Sequence, residues 1–68
     1  MKTVEMLVDE RGDLLRASWH EGDAGVDLSL WRGSRCRATF RLTLDDAARL
    51  GRLLGDAIAG RALPPTAA

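Results

Sequence analysis

Cysteine occurs once in this 68-residue chain, at Cys36, so no disulfide can close within it. Histidine also occurs once, at His20, and one histidine with one cysteine cannot build a four-ligand zinc site. No apolar run is long enough to span a membrane. The first ten residues hold Glu5, Asp9 and Glu10, which is unlike a signal peptide, so a cytoplasmic location is expected. Neither charge sign dominates: ten basic residues cancel ten acidic ones, which excludes a whole-chain electrostatic attraction to nucleic acid. Nine of the ten basic residues are Arg, a bias that GC-rich coding produces without any functional demand. Both prolines, Pro64 and Pro65, fall in a C-terminal stretch of small residues, read as a flexible tail over 63–68 after a single domain over 1–62.

A chain this short is marginal without disulfides, metal or oligomerisation. With the first two routes closed, a homodimer is the expected source of stability.

Alternating apolar positions supply the fold. Val4, Met6 and Val8 alternate with other residues, as do Leu15, Ala17 and Trp19, then Val26, Leu28 and Leu30, then Cys36, Ala38, Phe40 and Leu42. A period of two puts each set on one face of a strand. A two-residue turn at Arg11-Gly12 would oppose Val8 with Leu15, Met6 with Ala17 and Val4 with Trp19. A turn within Glu21-Gly22-Asp23-Ala24 would oppose Trp19 with Val26, Ala17 with Leu28 and Leu15 with Leu30. A three-residue loop, Arg32-Gly33-Ser34, would oppose Leu30 with Cys36, Leu28 with Ala38 and Val26 with Phe40. A two-residue loop there would set Leu30 against Arg37 and mix the faces.

The period then changes to that of a helix, with Ala47, Leu50, Leu54, Ala57 and Ile58 on one side. Thr43 suits the N-cap, and Asp45 and Asp46 suit the positive end of the helix dipole. The spacing predicts a helix over Leu44–Ala59, ended by a left-handed Gly60. Gly51 and Gly55 are read as packing closely on the chain's own sheet, with a helix–helix dimer contact as the alternative. The fold class is therefore α+β: a four-stranded antiparallel meander followed by one C-terminal helix, ββββα.

One helix covers one face. The registers above leave Trp31, Leu14 and Leu7 as an apolar patch on the other. Arg35, Arg37 and Arg41 would stand beside it on alternate positions of the last strand, with Arg32 at the turn and Arg16 on the second strand. Such a patch usually marks a contact surface. It fits single-stranded nucleic acid, with Trp31 stacking on bases and the arginines following phosphates. It equally fits a protein interface rimmed by Arg35 and Arg37, or simple packing of Trp31 over Leu14 and Arg35. Asp9, Glu5 and Asp27 share the face and oppose the nucleic-acid reading.

Nothing here calls for an enzyme or a cofactor. His20 is isolated, and Cys36 reads as a small buried hydrophobe. The run Arg32-Gly33-Ser34-Arg35 lacks the glycine spacing of a nucleotide loop.

The stretch Arg37-Ala38-Thr39-Phe40-Arg41-Leu42-Thr43-Leu44-Asp45-Asp46, followed by Leu50 and Leu53-Leu54, resembles the last strand and helix of the positive-cofactor-four transcriptional coactivators. That resemblance implies a dimer formed partly through the helices and curved sheets that bind single-stranded DNA. Arg35, Arg37, Arg41 and Trp31 are the positions that would carry this role. The combined expectation is a cytoplasmic homodimer that binds nucleic acid through Arg16, Trp31, Arg32, Arg35, Arg37 and Arg41. The alternative is a protein-interaction module, such as an accessory subunit or an antitoxin-like partner.

Overall fold

A computed structural model describes residues 1–62. They form β1 (Lys2–Val8), β2 (Leu14–His20), β3 (Gly25–Arg32), β4 (Arg35–Thr43) and α1 (Leu44–Ala62). The strands pair antiparallel in chain order, so the fold is the ββββα meander expected from the alternation. The tail expected over 63–68 lies outside the described residues.

The central pairing has the expected register, with Leu15 opposite Leu30 and Ala17 opposite Leu28. The two flanking hairpins do not. In the first, Leu7 faces Leu15, Glu5 faces Ala17 and Val8 faces Leu14, one residue away from the expected register. The turn explains the shift. Asp9 accepts the Gly12 amide on its carbonyl at 3.1 Å and gives its own amide to the Asp13 carbonyl at 2.9 Å. Its carboxylate also accepts the Arg11 and Asp13 amides, each at 2.9 Å. Asp9 therefore starts a turn whose fourth residue, Gly12, lies at φ 87°. That is the three-residue hairpin loop closed by a left-handed glycine. One added residue turns β1 over, so Val4, Met6 and Val8 join Leu14 and Arg16, while Leu7 joins Leu15.

In the last hairpin, Leu28 faces Phe40 and Leu30 faces Ala38, two residues from the expected register. The loop is the two-residue Gly33-Ser34 after all, since Arg32 pairs with Arg35. Gly33 at φ 59° occupies the first central position, where a II′ turn takes glycine. A bulge between Leu30 and Trp31 absorbs the conflict: Trp31 pairs with Cys36, Leu30 with Ala38, and Arg37 is the extra residue. Cys36 is consequently an exposed neighbour of Trp31, not a buried hydrophobe.

Thr43 caps α1 as expected, its Oγ1 accepting the Asp46 amide at 3.1 Å. The helix continues through Gly60 to Ala62, and Gly60 has no positive φ. The larger difference concerns the core. The helix touches only β3 and β4, and no hydrophobic side chain is buried among the described residues. Beyond the helix's own neighbouring backbone, nothing lies within 4 Å of where a Cβ on Gly51 or Gly55 would sit, so neither packs on the chain's own sheet. The cause is covalent: Thr43 ends the strand and Leu44 begins the helix, with no residue between them to reverse direction. The radius of gyration is accordingly 14.7 Å, against about 11 Å for a compact chain of this length.

Candidate interaction surfaces

The observed registers sort the sheet into two faces. One carries the rows Leu7-Leu15-Leu30-Ala38, Glu5-Ala17-Leu28-Phe40 and Thr3-Trp19-Val26-Leu42. Ten of these twelve side chains are apolar, and none is buried. Leu15, Leu28, Leu30, Ala38 and Phe40 line a shallow groove across three strands. Phe40 is 61% exposed within it. The helix is equally open along its apolar stripe, where Leu54 is 52% and Ile58 71% exposed.

The other face carries Val8-Leu14-Trp31-Cys36, then Met6-Arg16-Ser29-Thr39, then Val4-Ser18-Asp27-Arg41. The expected patch of Trp31, Leu14 and Leu7 is thus corrected, with Val8 in place of Leu7. Trp31 is half-buried, and its indole N–H donates to Ser29 Oγ at 2.8 Å. Trp31 and Arg16 occupy adjacent rows of this face.

The arginines do not form one continuous stripe. The Arg41 guanidinium donates to Asp27 Oδ1, directly across the sheet, and to Asp23 Oδ1, both at 2.7 Å. Arg41 lies over Gly25, where a Cβ would stand 3.2 Å from its Cζ and Nε and 2.9 Å from the Leu42 carbonyl oxygen. Arg32 grips Asp13 with two hydrogen bonds of 2.8 and 3.2 Å. Arg37 is displaced by the bulge and borders a shallow pocket with Asp13, Leu30, Trp31 and Arg32. Arg35 is exposed at the turn, opposite Arg32. The surface charge expected from the sequence is therefore partly spent within the chain. The sequence reading missed this because Asp13 and Asp23 lie outside the strands, and Asp27 comes opposite Arg41 only in the observed register of the last hairpin.

The ion pairs leave a mark on protonation. The side-chain hydrogen bond from Arg32 holds Asp13 below the ordinary carboxylate value of 3.8, and that from Arg41 does the same for Asp23. The Asp13 backbone amide lowers Asp9 in the same direction. Because each folded value lies below the unfolded one, the stabilisation is complete above the unfolded pKa and fades as pH falls through the folded one. The melting temperature is expected to be flat from about pH 7 to pH 5 and to drop by about pH 3, a drop that thermal scans would measure. Added salt should shrink it, since the guanidinium of each pair, Arg32 and Arg41, is exposed to solvent.

His20 is exposed at the end of β2, opposite Lys2. The Cys36 thiol donates to the Ala38 carbonyl, its Sγ 3.7 Å from the oxygen. Among the described residues no three His, Cys, Asp or Glu side chains gather as metal ligands would. No helix among them is long and apolar enough to cross a membrane. Comparison with protein-family models, with curated proteins and with solved structures finds no match for this chain.

Proposed function

We propose that this chain is a non-catalytic protein-association module, whose work is done by the Leu28 face of the sheet and the apolar stripe of α1. One observation carries the reading: among the described residues no hydrophobic side chain is fully buried, while the sheet face and the helix stripe both stand open. A domain whose apolar side chains are at best half-buried recovers too little burial to offset roughly 1–2 kcal/mol of backbone ordering entropy per residue. Its ordered state must therefore include whatever covers those surfaces, as in accessory subunits and antitoxin-like partners. A homodimer is the simplest such assembly.

Binding of single-stranded nucleic acid is the second reading, kept by a separate observation. Arg16, Arg35 and Arg37 have no ion-pair partner among the described residues, and Arg16 lies one row from Trp31. Arg32 and Arg41 contribute less to it, since each is already neutralised by carboxylates. A titration of tryptophan fluorescence with single-stranded oligonucleotides at low salt separates the two readings. The association reading expects unchanged emission and no salt-dependent affinity. Quenching that weakens with salt, and is lost in the Arg35→Glu, Arg37→Glu variant, would install nucleic-acid binding instead.

A further inference from the structure

We propose that the occupant of the Leu28 face is α1 of a second copy of this chain, in a reciprocal exchange that leaves each helix on its partner's sheet. The inference rests on the association reading and specifies its partner and geometry.

Area supports self-association first. A compact monomer of 7.4 kDa exposes about 4,200 Å², whereas this chain exposes 5928 Å². The excess is about 1,700 Å² per copy, so closing most of it across two copies removes more than about 2,000 Å², the range of obligate homodimers. A smaller contact would leave the deficit of buried area in place.

Geometry then selects the helix as the covering element. The Thr43–Leu44 junction has no linker, so α1 leaves the sheet beside β3 and β4 and never reaches Leu7, Leu15 or Ala17. The same junction projects a complete amphipathic helix into solvent. Its 19 residues extend about 28 Å, matching strands of seven to nine residues at about 23–30 Å. The stripe Ala47, Leu50, Leu54 and Ile58 carries no charge. Among the three rows of the Leu28 face the only ionisable residue is Glu5, on the edge strand farthest from β4. The groove between Leu15, Leu28 and Phe40 offers a seat for a leucine from a crossing helix. A zero net charge adds no repulsion between copies. Two-fold symmetry makes the exchange self-consistent, because each copy supplies the element that the other lacks.

The test is sedimentation of the full chain over a wide concentration range, joined to an isotope-filtered nuclear Overhauser experiment on mixed labelled and unlabelled protein. The expected result is a particle of twice the chain mass, with cross-copy contacts from the methyls of Leu54 and Ile58 to those of Leu15 and Leu28. Leu54→Glu should raise the dissociation constant at least tenfold, and the filtered spectrum needs no variant to fold. A dimer whose cross-copy contacts join helix to helix, or involve the Trp31 face, overturns the exchange while leaving the association reading intact. An unfolded monomer overturns self-association and leaves a different partner. A folded monomer with its own helix on its own sheet overturns both.

Discussion

Phe40→Ala is expected to cost about 3–5 kcal/mol of stability, the loss shown by a large aromatic removed from a packed interior. Within a single copy Phe40 is 61% exposed, and truncating a surface side chain of that kind costs about 1 kcal/mol at most. The two magnitudes are far enough apart to decide whether the Leu28 face is wet or covered. Chemical denaturation followed by circular dichroism, at two protein concentrations, measures the difference. The midpoint of the parent protein should rise with concentration, because folding and assembly are one equilibrium. A midpoint that does not depend on concentration, with a loss below about 1 kcal/mol for Phe40→Ala, would mean that the face stays in water.

The second large effect is expected at Gly25, through crowding and not through left-handed backbone. A methyl group there would meet the Leu42 carbonyl oxygen at 2.9 Å and the Arg41 guanidinium carbon at 3.2 Å. The carbonyl belongs to the paired strand and cannot move without disturbing the ladder, so overpacking of about 1–3 kcal/mol is expected for Gly25→Ala. Displacing Arg41 also releases Asp23, whose low pKa comes first from that side chain. In the variant the Asp23 carboxyl should titrate closer to 3.8, which carbon-detected nuclear magnetic resonance reads directly. Lost stability with an unchanged Asp23 titration would show that the backbone clash acts alone.

The sequence made the order and type of elements legible because period-two alternation and helical spacing are local signals. It also made the Thr43 cap legible, since Asp46 stands at the spacing that a capping hydroxyl serves. Registers were harder because turns set them. At Asp9-Glu10-Arg11-Gly12, an aspartate three residues before a glycine is the signature of a longer loop, and it outweighed the attraction of pairing Val8 with Leu15. At Arg32-Gly33-Ser34-Arg35, insisting on unbroken alternation favoured a three-residue loop, whereas the chain takes the tighter turn and corrects its phase with a bulge. The site was less legible still. Arg41 and Arg32 look like free cations until Asp23 and Asp13 are placed beside them in space. The open helix was hidden for another reason: amphipathic spacing reveals a stripe to be covered, but not whose sheet covers it.

Arg37 also bears on how far assembly can proceed. β4 is an outermost strand, and a regular nine-residue border of free amides and carbonyls would invite strand after strand into an endless fibre. The extra residue puts the groups before and after it out of phase, so no straight strand can hydrogen-bond along the whole border. Lateral growth is thereby blunted at this margin, and a finite particle is favoured over a filament.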